Sequence, residues 1–293
     1  MLNIIKKIIF KIFSIFNLRI VKLNKYMKMQ DILKSDTSLK NFGINYYNGI
    51  TEVSIDSPIH DFYLLQRFPD LMITTDPNKK SRFVKLFQDN AKYMEPWYDP
   101  IRILHIMELM EQVNSLESGD ILELGTNNGL SAKIIYSLMN DKDKIYCLDT
   151  YKGFDKNDVN IENKMFKKGL SEDFIQQPFS PDEVKKFILD GKTANNVELI
   201  IGKFPDVFSD RYLDLKFRLI NFDFDLYEPT IIGLEKMWDQ LVPGGAYLIH
   251  DYKCSLFPGV YKATNEFCKK KGLTPFVCAD SQSSAIIYKS LNI

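Results

Sequence analysis

No G-x-G-x-x-G occurs in the chain, and without that glycine spacing a nicotinamide or flavin dinucleotide is a poor candidate ligand. The four cysteines, Cys147, Cys254, Cys268 and Cys278, show neither C-x-x-C nor zinc spacing. That argues against a disulfide framework and a structural zinc, and predicts reduced thiols in a cytoplasmic protein. Net charge is absent as well: 38 Lys and Arg balance 38 Asp and Glu, so no overall field attracts nucleic acid. No apolar run reaches the roughly 20 residues of a membrane-spanning helix. Nor does an uninterrupted h-region with a small-residue cleavage site open the chain, so a signal peptide is not expected.

What charge imbalance there is lies at the start. Residues 1–30 hold seven Lys or Arg and no acid, interleaved with Ile and Phe. On a helical wheel Lys6, Lys7 and Lys11 share one face and Ile4, Ile5, Ile8, Ile9, Ile12 and Phe13 the other, which predicts a basic amphipathic helix. Such a helix suits an anionic membrane surface, which would place the protein at the inner membrane face as a peripheral protein. It equally suits packing on the body or on a second subunit, and a homo-oligomer is expected.

Residues 31–98 form a mixed N-terminal extension, with a helical stretch over Lys79–Tyr93. Trp97 and Tyr98 are read as packing aromatics. From 99 to 293 the pattern changes to an α/β domain. A helix begins at Asp99-Pro100, with Ile101, Leu104, Ile106, Leu109, Met110 and Val113 at helical spacing. Strands are predicted at Asp120–Leu124, Lys144–Leu148, Val197–Ile201, Phe217–Phe222 and Ala246–His250, with a closing pair at Thr274–Cys278 and Ala285–Tyr288. Helices are expected at Ser131–Asn140, Pro181–Asp190, Pro205–Arg211, Glu228–Leu241 and Gly259–Lys271. Strand-helix alternation is the sign of a parallel sheet covered on both faces. Five such units closed by an antiparallel hairpin match the Rossmann-like, seven-stranded class I methyltransferase sheet. The polar stretch around 155–196 is too long for a plain connection and reads as a lid.

Ligands of open α/β sheets bind at the carboxyl ends of the strands. There, Glu123-Leu-Gly125-Thr126-Asn127-Asn-Gly129 follows the first strand and Asp149-Thr150 the second. Glycines allow a sharp turn and backbone approach at a helix start, and the acid can accept two ribose hydroxyls. G-x-x-x-G in place of the pyrophosphate spacing points to S-adenosylmethionine, which has no phosphates. Cofactor contacts are therefore assigned to Glu123, Gly125, Thr126, Asn127, Gly129, Ser131, Asp149, Thr150, Gly202, Lys203 and Asp223. Asp223 and Asp225 end the fourth strand, and His250-Asp251 the fifth. Three carboxylates and an imidazole so close are costly unless a cation or hydrogen bonds satisfy them.

These pieces resemble the macrocin-type sugar O-methyltransferases. The matching segments are Gly119-Asp-Ile-Leu-Glu123-Leu-Gly125, Asp149-Thr-Tyr-Lys-Gly153-Phe154, Gly202-Lys-Phe204-Pro-Asp206, Asp223-Phe-Asp225-Leu-Tyr227-Glu-Pro-Thr230 and Pro243-Gly-Gly-Ala-Tyr-Leu-Ile-His250-Asp251-Tyr252. The resemblance implies S-adenosylmethionine-dependent, metal-assisted methylation of a sugar hydroxyl, with a surface glycan or a natural-product glycoside as substrate. It maps the metal ligands, usually of Mg²⁺, onto Asp223, His250 and Asp251. His250 stands where the family keeps an acid, and imidazole suits Mn²⁺, Fe²⁺ or Zn²⁺ better than Mg²⁺. His250 is thus ligand, general base or spectator. The catalytic set is Asp223, His250 and Asp225, with Asp225 and Tyr227 also readable as plain helix-start residues. Two readings of other classes stay open: an NAD-dependent oxidoreductase on the same sheet, and a non-catalytic, membrane-associated protein that kept the fold.

Overall fold

In the computed structural model, residues 77–90, 93, 100–170, 180–208, 210–278, 280 and 283–291 are described. The helix expected over 1–30, most of the 31–98 extension, and Trp97 and Tyr98 lie outside them. Among the described residues two helices precede the sheet, α1 (Pro77–Asn90) and α2 (Pro100–Val113). Then follow β1 (Asp120–Leu124), α3 (Leu130–Leu138), β2 (Ile145–Asp149), α4 (Lys156–Phe166), α5 (Pro181–Leu189), β3 (Val197–Ile201) and β4 (Phe217–Phe222). The chain closes with α6 (Tyr227–Met237), β5 (Leu241–Ile249), α7 (Pro258–Lys271), β6 (Phe276–Val277) and β7 (Ala285–Tyr288).

The strands form one seven-stranded sheet in the order β3-β2-β1-β4-β5-β7-β6. β7 runs antiparallel to both of its neighbours, and the other pairings are parallel. Every residue of β4 is buried, as a central strand covered on both faces requires. Helices pack in two groups, α1, α2, α3 and α5 in one and α4, α6 and α7 in the other, which supplies those covers. Aromatics fill much of the second interface: Phe222 meets Tyr247 edge-on at 4.8 Å, and Trp238 meets Phe267 at 5.3 Å.

Two expected elements differ. Pro205–Arg211 is not a helix but a turn followed by a 3₁₀ step at Asp210–Tyr212, since seven residues are too few to repay helix nucleation without a longer apolar face. The fifth strand is longer than predicted. It starts at Leu241 and runs through Pro243-Gly244-Gly245, and its register against β4 shifts between Phe217 and Leu219. The bulge accommodates residues that usually end a strand. Within 155–196, α4 was hidden by its polarity. It is specified by its cap: the Asp155 carboxylate accepts the N–H groups of Asn157 and Asp158.

Candidate active site

Strand order reverses between β1 and β4, and the loops after β1, β2, β4 and β5 meet beside that switch point. Each carries a residue in the left-handed region: Asn127 (φ 48°), Tyr151 (52°), Asp225 (64°) and Asp251 (56°). For side chains other than glycine this costs on the order of 1–3 kcal/mol apiece and gathers where function requires it.

The first half of the site is built from β1 and β2. Gly125 donates its N–H to the Leu148 carbonyl at 2.8 Å, and Leu124 accepts the Asp223 N–H at 2.7 Å, knitting three strand ends together. Asp149 holds this junction through its side chain. Oδ2 accepts the Asn127 N–H and Oδ1 the Tyr151 N–H, both at 2.8 Å. A carboxylate offers about four lone pairs, so acceptor capacity remains for two hydroxyls. Thr150 turns its hydroxyl to the Gly153 carbonyl at 2.7 Å. Ser131 and Thr126 are buried at the start of α3 and in the turn before it.

Several residues expected to contact cofactor have another role as well. A Cβ on Gly125 would lie 2.0 Å from the Asp223 carbonyl oxygen, and one on Gly129 would lie 2.9 Å from Val184 of α5. One on Gly202 would meet Val207 at 2.4 Å. Packing of the chain against itself therefore demands these three glycines. Glu123 reaches across to Asn221, whose amide donates to Oε1 at 2.9 Å. Burial, then the nearby Asp223 and Asp149 charges, push its pKa up to about 8 against the opposing Asn221 bond and Arg102. Burial thus favours the neutral form of Glu123. Lys203 is drawn to α4, pairing with Asp155 at 2.8 Å and Asp158 at 3.0 Å.

The second half gathers Asp223, Asp225, His250 and Asp251, with one donor atom from each within 4.8 Å of all the others. His250 Nδ1 lies 2.7 Å from Asp223 Oδ1 and 2.9 Å from Asp251 Oδ2. Neither approach has hydrogen-bond geometry, and Nδ1 is buried. Burial raises the pKa of Asp223 to about 7, with Asp251 adding to the rise and Arg102 opposing it. Asp225 is pushed well above the carboxylate range, by burial and then by the Asp251 and Asp223 charges; burial also raises Asp251. An unbonded buried imidazole nitrogen among carboxylates that resist ionising is the donor chemistry of a cation site.

Arg102 was not anticipated from the sequence. It lies on α2, 2% exposed, and donates to Asp223 Oδ2 at 3.1 Å. Its signal was a charge set between Ile101 and Ile103 on an otherwise apolar helix face, at a position where a charge must find a partner.

If Asp149 is the ribose acceptor, Asp149→Ala weakens S-adenosylhomocysteine binding by roughly 10- to 150-fold, the weight of about 1.5–3 kcal/mol for a bond to a charged group. Isothermal calorimetry reads this directly, and unchanged affinity would move the cofactor site elsewhere.

Residues 122–252 match the model of a methyltransferase domain family. No curated protein sequence matches the chain. Among solved structures, CalS11, a calicheamicin methyltransferase, aligns at 21% identity and TM-score 0.56, over 83% of this chain and 98% of its own. The O-methyltransferase NovP aligns at 18% identity and TM-score 0.55, over 65% and 80%. A putative caffeoyl-CoA O-methyltransferase from Staphylococcus aureus aligns at 15% identity and TM-score 0.50, over 79% and 100%. At these identities the likeness establishes the fold. That fold is Rossmann-like, and the stretch 122–252 within it is similar to a methyltransferase domain.

Proposed function

We propose that the protein transfers a methyl group to a hydroxyl of a sugar, on a surface glycan or a natural-product glycoside, with help from a divalent cation. The observation that carries this reading is the convergence of Asp223, Asp225, His250 and Asp251 beside the Asp149 junction. Support for a sugar acceptor comes from the resemblance of the strand-end motifs to the macrocin-type family. The donor set fits a cation: Asp223, His250 and Asp251 would hold it, and a mixed nitrogen and oxygen set favours Mn²⁺, with Mg²⁺ the harder alternative. Such an ion would supply Lewis-acid lowering of the acceptor hydroxyl's pKa.

The chain's own residues do the rest. Asp149, fixed by two N–H donors, orients the nucleoside end of the cofactor. Arg102 keeps Asp223 in place and partly offsets the crowding of carboxylates. As a ligand through Nδ1, which faces the carboxylates, His250 would carry its ring proton on Nε2, so Asp225 would take the hydroxyl proton. Since a sulfonium is already a good leaving group, alignment matters more than covalent catalysis, and it can supply on the order of 7–11 kcal/mol. No helix among the described residues is long and apolar enough to cross a membrane. The basic, amphipathic 1–30 segment supports a peripheral role at the cytoplasmic membrane surface, where lipid-linked sugars would be presented.

The test is release of S-adenosylhomocysteine against a panel of sugar nucleotides and glycans, with Mn²⁺, Mg²⁺ or excess chelator. Turnover of one sugar class that chelator abolishes is expected. Full turnover in chelator would remove the metal from the reading, and turnover only on non-sugar hydroxyls would remove the sugar.

A further inference from the structure

Glu162 lies at the middle of α4, fully buried and outside every motif above. Its two oxygens serve two different helix starts. Oε2 accepts the N–H of Tyr227, the first residue of α6, and Oε1 accepts the N–H of Gly259 in the first turn of α7, each at 2.9 Å. Neither helix is capped by its own flanking side chain, Leu226 or Phe257. A carboxylate at a helix N-terminus is favoured by the exposed N–H groups and the helix dipole, and this one meets two such ends at once. Gly259 leaves room for it, because a Cβ there would come 2.1 Å from Oε2.

The two helices follow directly on the two halves of the acidic cluster. α6 begins after Asp223–Asp225, and α7 follows the loop that opens with His250–Asp251. α4 is held in turn at a third strand end, since Asp155 and Asp158 pair with Lys203 after β3. Asp155, Asp158 and Glu162 are spaced to share one face of the helix, so a single acidic stripe braces the ends of β3, β4 and β5.

We propose that Glu162 is a positioning residue that, by terminating α6 and α7 with one carboxylate, sets the separation of the Asp223–Asp225 loop from the His250–Asp251 loop. This rests on reading those loops as the metal and catalytic site. Glu162→Gln keeps the shape and one acceptor oxygen but turns an amide N–H₂ toward the second N–H, so one helix start loses its partner.

The experiment compares the full chain with its Glu162→Gln variant by thermal melting, S-adenosylhomocysteine calorimetry and MnCl₂ titration. Glu162→Asp, too short to reach both N–H groups, serves if the first variant does not fold. The expected result is an affinity for S-adenosylhomocysteine within about twofold of the parent, because the Asp149 end is untouched, and Mn²⁺ affinity lower by about tenfold, the weight of one lost buried hydrogen bond. Wild-type affinity for both, with only a lower melting temperature, would overturn the proposal and leave Glu162 a helix cap. Should the parent itself bind no Mn²⁺, the metal reading fails and the positioning role is decided separately. Crystal structures of parent and variant then compare the distance from Asp223 Oδ1 to His250 Nδ1: widening by about 1 Å upholds the role, and an unchanged distance ends it.

Discussion

Gly125→Ala is expected to destabilise the domain by at least about 4 kcal/mol, an exceptional effect for removing nothing and adding one methyl group. The added Cβ would lie 2.0 Å from the Asp223 carbonyl oxygen, inside any tolerable contact, and the residue sits at φ +91°, where a side chain is strained in any case. Neither neighbour can yield. Gly125 is bonded to Leu148, and Asp223 to Leu124, so both backbones are held by the sheet. For a domain of this size, each kcal/mol corresponds to roughly 2–4 °C, which puts the drop in melting temperature near or above about 10 °C. The close approach that requires glycine here is between the ends of β1 and β4. A variant that melts with the parent yet no longer binds S-adenosylhomocysteine would show instead that Gly125 serves backbone approach to the cofactor.

The second large effect is expected at Asp223. Asp223→Ala removes one donor from the four-residue cluster and leaves Arg102, 2% exposed, without the carboxylate it donates to. Breaking a buried pair from one side typically costs about 3–5 kcal/mol, so this variant should lose stability as well as Mn²⁺ binding and methyl transfer. Asp223→Asn separates the two losses. It keeps an acceptor for Arg102 and should melt closer to the parent, while Mn²⁺ affinity still falls by at least about two orders of magnitude for want of the anionic ligand. The parent's affinity should also depend on pH. Burial places the Asp223 pKa at about 7, and the carboxyl must give up its proton to bind a cation, so Mn²⁺ binding strengthens as pH rises through about 7. For the metal-free protein the sign is opposite. A carboxyl raised in the folded state favours folding while it is neutral, so that contribution is lost as pH climbs through about 7. Melting curves at about pH 6 and about pH 8, with and without MnCl₂, read both slopes. Equal Mn²⁺ affinity at the two pH values, or a parent and Asp223→Asn that bind alike, would show that Asp223 is not a ligand.

Much of the candidate site is legible in the sequence. The run Asp120-Ile-Leu-Glu-Leu and its parallel counterparts announce buried strands by their apolar content, and strand ends are where such a sheet keeps its ligands. Asp149, Asp223, His250 and Asp251 were found by position alone, and three of them meet within the cluster. Strand limits were nearly right because a strand's identity is a local property, whereas the fifth strand's bulge depends on a register that only β4 supplies. α4 was missed because a polar helix carries little periodicity; its stability comes from the Asp155 cap and its attachments to distant loops.

What the sequence determined by itself is the order of the strands and of most helices, the identity of the strand-end residues and the Rossmann-like methyltransferase fold they indicate. These follow from period, composition and short-range spacing, which the chain carries with it. Only the tertiary structure decided which of those residues share a site and what each glycine is for. It brought Arg102 to Asp223, 121 residues apart, and gave Glu162 two helix starts to hold, 65 and 97 residues away. It also drew Lys203 toward α4 and raised the pKa of Glu123 by burying it between β1 and β4. Burial and charge proximity set these outcomes. Both are sums over atoms from remote parts of the chain, so no local pattern in the sequence could have contained them.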